Sequence, residues 1–195
     1  MRRKAWGLFT MFCMVAAGGV FPCEADQSGP NPVVVVRVEN PNGLEVPRLD
    51  RALGLATETY DRAGVTLRWA PDKNTMPDRT LTMVLTISTA MPVGLGLDAM
   101  GVAPTPGDGT RGTLAYVFVD KVTSFAASYR LVVAHVLACA LSHEIGHLLL
   151  PPNAHRPDSV MRDGWHPALF PPQAPGILGF PPDQAKLLRL RARRQ

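Results

Sequence analysis

The stretch that most limits how this chain can fold runs from Ser124 to Leu150. Its 27 residues, SFAASYRLVVAHVLACALSHEIGHLLL, contain no proline and one glycine, Gly146. A long and mostly apolar segment of this kind predicts one long buried helix, with Thr123 or Ser124 as its N-cap. A double proline follows at once and cannot continue a helix. We therefore expect a helix that ends abruptly and a chain that reverses direction after it.

The C-terminal third of this apolar segment carries two histidines and one glutamate. His143 and His147 are four residues apart, so on a helix their side chains lie on one face and can converge on one ion. Glu144 points about 100° around the helix, beside such an ion and not among its ligands. Two ordinary histidines with a solvent-facing glutamate are the alternative, but a buried carboxylate without a partner is costly. The pattern predicts one catalytic Zn²⁺ ion, with Glu144 as the general base.

A catalytic zinc ion needs a third protein ligand and an open position for water. The chain has no glutamate after Glu144, which excludes a downstream glutamate as that ligand. His155 ranks first because it is nearest, follows the proline-enforced reversal and has the donor type that zinc prefers. Asp158 ranks second and His166 third. The remaining candidates are Asp163 and Asp183.

The rest of the chain alternates strand-like and helix-like segments, which is typical of an α/β fold. Residues 31–41 form a continuous β-branched run that predicts a strand covered on both faces. Apolar residues at helical spacing predict a helix over 47–64 that stops at Gly64. Three further strands are predicted over 65–70, 81–87 and 113–122.

Two segments without periodicity are predicted to be irregular. Residues 94–112 are rich in glycine and favour a surface loop beside a binding cleft. Nine prolines lie between Pro151 and Pro182, which favours an irregular chain packed over the long helix. A last helix is expected to start near Pro182 and Asp183, with four apolar residues inside it: Ala185, Leu187, Leu188 and Leu190.

The first 25 residues have the pattern of a secretory signal peptide, with three basic residues, an uncharged apolar run and a small-residue cleavage site. An uncleaved membrane anchor is the alternative, but the apolar run is short for a bilayer. We expect an exported, secreted or periplasmic protein with a single domain over 26–195.

Removing the signal takes away three of the 20 basic residues and one of the 16 acidic ones, which leaves a net charge of +2. This charge does not suit nucleic-acid binding, and we expect a monomer without further membrane association.

The motif HEIGH at 143–147, a further histidine shortly after a sharp turn, and DSVM ending at Met161 resemble the metzincin clan of zinc endopeptidases, its matrixin-like members especially. The resemblance implies a zincin-like α/β (α+β) fold, in which a twisted mixed sheet packs on the active-site helix. It implies His143, His147 and His155 as zinc ligands and Met161 in a turn beneath the metal. It also implies that the strand around 116–119 is an edge strand that pairs with an extended peptide substrate.

The sequence departs from the usual clan pattern at two positions. Leu150 stands where the clan has a glycine, and Asn153 stands where the clan has its third histidine. His155 lies eight residues after His147, so the turn is two residues longer. The resemblance is therefore to a divergent, metzincin-like branch.

These observations predict an exported zinc endopeptidase that hydrolyses peptide bonds in a peptide or protein substrate. Two alternatives use the same site. One is a zinc-binding module that has lost turnover, for which Glu144 would have no purpose. The other is an amidase or cell-wall peptide hydrolase, which applies the same chemistry to another amide.

Overall fold

Five strands and four helices make up the part of the chain that the computed structural model describes, which is residues 29–70, 80–86, 99–104, 112–152, 154–167, 170 and 178–194. The predicted signal peptide lies outside these residues. In chain order the elements are β1 (Val33–Glu39), α1 (Val46–Arg62), β2 (Thr66–Ala70), β3 (Leu81–Thr86), β4 (Gly101–Val102), β5 (Leu114–Phe118), α2 (Val119–Ser128), α3 (Val133–Leu149) and α4 (Pro182–Ala192).

The strands form one mixed sheet in the order β2-β1-β3-β5-β4. Strands β2, β1, β3 and β5 are parallel to one another. The two-residue strand β4 runs antiparallel to β5. Parallel strands need crossover connections, which helix α1 supplies between β1 and β2. This arrangement confirms the predicted α/β class with a mixed sheet.

The edge of the sheet differs from the prediction. Tyr116 in β5 is paired on both sides, with Val84 of β3 and with Val102 of β4. The expectation of an edge strand around 116–119 is therefore wrong, and β4 is the edge strand on this side of the described sheet. Strand β4 lies in the segment predicted to be wholly loop, where a two-residue strand leaves no periodic signal.

Strand β1 is buried on one face only, although its β-branched run predicted cover on both. Val34 and Val36 are buried, whereas Val33 is exposed and Val35 is half-buried. The buried side chains of β1, β3 and β5 belong to one apolar core with residues of α1 and α3. A run of valines fits a half-covered parallel strand as well as a fully covered one, so the pattern could not separate the two.

Helix α1 begins one residue before the predicted helix, and the predicted stop is confirmed at Gly64, which has φ +76°. Helices α1 and α3 pack against each other. Tyr60, fully buried on α1, donates a hydrogen bond of 2.9 Å from its hydroxyl to the carbonyl oxygen of Ser142. This bond joins α1 to the turn of α3 that carries His143.

The single long helix predicted over 124–150 is two helices, α2 and α3. Helix α2 starts directly after β5, and Thr123, one of the two predicted N-caps, lies inside it with its hydroxyl bonded to the carbonyl of Val119. Arg130, at φ +54°, ends α2 through a Schellman motif in which the amide of Leu131 donates to the carbonyl of Ala126. Glycine is the usual residue at that position, so an arginine there gave no stop signal.

The final helix confirms the predicted start at Pro182 and part of the predicted apolar face. Ala185 and Leu188 are buried, but Leu187 and Leu190 are exposed. Gln184 is buried with the apolar pair. No helix in the described part of the chain is both long enough and apolar enough to cross a membrane.

Candidate metal centre

Three histidine side chains converge at the C-terminal end of helix α3. The Nε2 atom of His147 lies 2.9 Å from Nε2 of His143 and 3.1 Å from Nε2 of His155. One nitrogen from each ring lies within 4.8 Å of the other two. Among the described residues, this is the group of side chains that lies close enough to hold a metal ion. The structure therefore brings together the three predicted ligands.

The local fold explains how the ligands meet. His143 and His147 are one helical turn apart on α3, and the helix ends at Leu149 before the double proline. The chain then reverses and places His155 against the other two rings. His143 is 8% exposed, whereas the side chain of His155 is 33% exposed, so the cluster extends from the core to the surface.

Hydrogen bonds on the outer sides of two rings fix where their protons lie. Nδ1 of His143 is 2.9 Å from the carbonyl oxygen of Val160, and Nδ1 of His155 is 2.7 Å from Oδ1 of Asp163. Both oxygens only accept, so in the neutral rings Nδ1 carries the hydrogen and Nε2 presents a lone pair. His147 lies between these two lone pairs and can donate one hydrogen to only one of them. A cation satisfies all three nitrogens, which is the donor arrangement of a metal site.

Electrostatics keep the two helix histidines neutral and able to act as ligands. Burial, followed by repulsion from His143 and His155, lowers the pKa of His147 to about 4. Burial also lowers the pKa of His143. Three nitrogens around a tetrahedral zinc ion lie about 3.3 Å apart, because each zinc–nitrogen bond is about 2.0–2.1 Å. The two separations from His147, 2.9 and 3.1 Å, are close to this value, and the third pair of nitrogens lies within 4.8 Å.

The other predicted candidates for the third ligand are not part of the cluster. Asp158 and Asp183 both bind the guanidinium group of Arg156, Asp158 through two bonds of 3.0 Å. Asp163 holds the outer nitrogen of His155 instead. His166 is exposed and lies outside the three-histidine group.

Glu144 is buried beside the histidines, at 5% exposure, and its Oε2 has no hydrogen-bond partner among the described residues. Burial raises its pKa to about 8. A Cβ atom added to Gly101 would lie 2.7 Å from Glu144 Oε1, so the carboxylate packs against the backbone of β4. The side chain of Glu144 therefore lies between helix α3 and the edge strand β4.

Met161 lies beneath the helix that carries the motif. It is fully buried, and a Cβ atom on Gly146 would collide with its sulfur. Trp165 lies against the outer side of the cluster, with its ring 5.9 Å from that of His143. Cys139 is a buried core residue, and burial raises the pKa of its thiol.

Three groups contribute to the site in roles that the sequence analysis did not assign to them. Asp163 was considered only as a ligand, although an acidic residue near a candidate histidine is also typical of an orienting partner. Gly101 carries no signal, because its role is to leave space for a side chain distant in sequence. The carbonyl of Val160 is a backbone group, which a sequence pattern does not report.

Comparison with known proteins adds no relative. No protein-family model matches this sequence, and no curated protein matches it significantly. The chemistry of the site therefore follows from its own residues, which are three histidines close enough to hold a metal ion and a buried glutamate next to one of them in the chain.

Proposed function

We propose that this chain is a zinc-dependent peptidase of a divergent metzincin-like kind. The observation that carries the proposal is the convergence of three Nε2 atoms beside the buried carboxylate of Glu144. Zinc is the proposed ion because imidazole nitrogens are among its preferred ligands and three protein ligands leave a position open for water. Calcium and magnesium prefer oxygen ligands, which this cluster does not offer.

The chemistry requires one group that moves a proton. When bound, zinc would supply Lewis acidity, which lowers the pKa of a water molecule and polarises the scissile carbonyl group. Glu144 accepts a proton from the attacking water, whose oxygen forms a bond to the carbonyl carbon. Glu144 then gives that proton to the nitrogen of the leaving amine as the carbon–nitrogen bond breaks. One water is consumed, an acid and an amine are produced, and the carboxylate is regenerated.

The environment of Glu144 suits this role. Its Oε2 has no hydrogen-bond partner among the described residues, which leaves that oxygen available to accept a proton. A divalent cation nearby favours the charged form of a buried carboxylate, which offsets the effect of burial on its pKa. Its contact with Gly101 also brings it to the edge strand β4. A peptide that pairs with this edge would present its carbonyl groups beside Glu144.

The methionine beneath the helix supports the metzincin-like assignment. Met161 follows the third histidine in sequence and packs under Gly146, inside the HEIGH motif. The resemblance to the clan implies a methionine-bearing turn at this place. The longer connection to His155 still delivers an imidazole to the cluster, so the departure in spacing is compatible with the same ligand set.

The proposal is tested by measuring bound zinc and peptide cleavage on the purified full chain. We expect one zinc ion per chain and cleavage of a peptide library that a chelator abolishes and zinc restores. Glu144→Gln should keep the metal and lower turnover by about 100-fold or more. His155→Ala should lose metal affinity, while His166→Ala, which removes an exposed histidine outside the cluster, should not.

Two results would contradict the proposal in different ways. Stoichiometric zinc without chelator-sensitive cleavage would favour a zinc-binding module without turnover. Unchanged zinc affinity in His155→Ala would show that the third ligand is assigned wrongly.

A third outcome concerns only the substrate. Cleavage confined to cell-wall peptides would retain the chemistry and change the substrate to that of a cell-wall hydrolase.

A further inference from the structure

Gln184 on helix α4 is a buried polar residue in an otherwise apolar helix face. It is 4% exposed, and both ends of its side-chain amide are bonded. Nε2 donates to the carbonyl oxygen of Ala154 at 2.6 Å, and Oε1 accepts from the hydroxyl of Ser159 at 2.5 Å. Because Ala154 precedes His155 directly, Gln184 holds the backbone immediately before the exposed histidine.

The second bond of Gln184 leads to the other side of the site. The hydroxyl oxygen of Ser159 also accepts a hydrogen bond of 3.1 Å from the amide of Met161. Between them lies Val160, whose carbonyl oxygen accepts from Nδ1 of His143. One side chain of α4 therefore connects the segment that carries His155 with the turn that orients His143.

A second contact between α4 and this loop lies at the surface. The guanidinium group of Arg156 binds Asp158 within the loop and Asp183 in the first turn of α4. These groups are partly or largely exposed, and exposed ion pairs contribute little to stability. The buried amide of Gln184 is therefore the stronger restraint, since a buried hydrogen bond loses no strength to competing water.

We propose that Gln184 is a positioning residue for the metal centre, through which helix α4 holds His155 in reach of the other two ligands. The proposal rests on the proposed metal site. Docking of α4 alone does not require a polar group here, because Ala185 and Leu188 already bury its apolar face. The amide instead joins two points of the loop on either side of His155, and groups that orient metal ligands in this way commonly change metal affinity by about 10- to 100-fold.

The test compares Gln184→Met, which keeps the size of the side chain and removes both bonds, with Leu188→Ala on the same helix. Leu188 is fully buried and has no polar atom to hold the loop, so its truncation destabilises α4 without touching the network. Cobalt(II) affinity and the visible spectrum of bound cobalt report the site, and urea unfolding of the metal-free chains reports stability. We expect Gln184→Met to weaken cobalt binding by about 10- to 100-fold and to alter the spectrum. Leu188→Ala should lose stability and keep the affinity and spectrum of the wild type.

A double variant with His155→Ala makes the test specific. Once His155 is absent, Gln184→Met should cause little further loss of affinity, because the ligand it positions is gone. Ser159→Ala removes one of the two bonds and should give a smaller loss, which provides a second variant if Gln184→Met does not fold. Wild-type affinity in both variants that break the network would overturn the inference, as would equal losses in Gln184→Met and Leu188→Ala. A wild-type chain that binds no cobalt would instead refute the metal site itself.

Discussion

Gly146 and Met161 occupy one space: the sulfur of Met161 fills the position that a side chain at 146 would need. The contact joins the helix that carries two of the candidate ligands to the turn that follows the third. Glycine inside a helix is unfavourable by about 1 kcal/mol relative to alanine, so its presence here indicates that packing outweighs helix propensity.

We predict that Gly146→Ala destabilises the protein by about 1–3 kcal/mol, because the added methyl group overpacks a filled core. Met161→Ala should cost about 2–5 kcal/mol by leaving a cavity. The double variant should be more stable than the sum of the two losses predicts, since each change relieves the other. Urea unfolding of the four chains measures this coupling, and strict additivity would show that the two residues do not share the space.

The carboxylate of Asp163 orients His155 through its bond to Nδ1. We predict that Asp163→Ala weakens zinc binding by about 10- to 100-fold, as the loss of such partners commonly does. Asp163→Asn should show a smaller loss, because its side-chain oxygen can still accept the hydrogen bond. Chelator competition measures the affinities. Asp61→Ala, which removes an exposed carboxylate from helix α1, is the control, and an equal loss in that variant would attribute the effect to net charge.

The buried Glu144 makes the stability of the metal-free chain depend on pH. Its pKa is about 8 in the fold against 4.5 for an ordinary glutamate, so between these values the folded state holds a proton that the unfolded state has lost. Stability should therefore fall as pH rises towards 8. The lowered pKa values of His143 and His147 act in the opposite direction, but only below their ordinary value of 6.5.

Between pH 6.5 and 8, the change of stability with pH therefore reports the proton held by Glu144 rather than the protons of His143 and His147. Urea unfolding of the chelator-treated wild type should show declining stability across this window, and Glu144→Gln should show a flatter profile. Parallel profiles for the two proteins would contradict the assignment. Saturating zinc should reduce the decline in the wild type, because a cation favours the charged carboxylate.

Gly101 leaves room at the edge strand for Glu144. A Cβ atom there would lie 2.6 Å from the carbonyl oxygen of Tyr116 and 2.7 Å from Glu144 Oε1. We predict that Gly101→Ala lowers stability by about 1–3 kcal/mol and reduces peptide cleavage, while zinc affinity stays unchanged because the three nearest atoms belong to Tyr116 and Glu144 and not to a histidine. Gly54→Ala on helix α1 is the matched control, since nothing lies within 4 Å of its added methyl group. Intact cleavage in Gly101→Ala would show that Glu144 does not depend on this contact.

Local patterns in the sequence predicted much of the framework and the three histidines that the fold brings together. Helical periodicity and Gly64 defined α1, and the double proline defined the end of α3. The spacing of four between His143 and His147 was sufficient to put both rings on one helix face, because the pitch of a helix depends only on the backbone. The division between α2 and α3 was missed, since Arg130 adopts a conformation that glycine normally signals.

The sequence by itself determined which side chains could serve as ligands and base, because residue type and helical spacing are local properties. Only the tertiary structure shows that, of the five candidates for the third position, His155 lies beside the two helix histidines. Arg156 engages Asp158 and Asp183, which leaves His155 to meet the helix. Tertiary contacts also place β4, and not β5, at the edge of the described sheet, where Gly101 makes space for Glu144. Such choices depend on which distant residues share a space or a hydrogen bond, and that is a property of the folded chain as a whole.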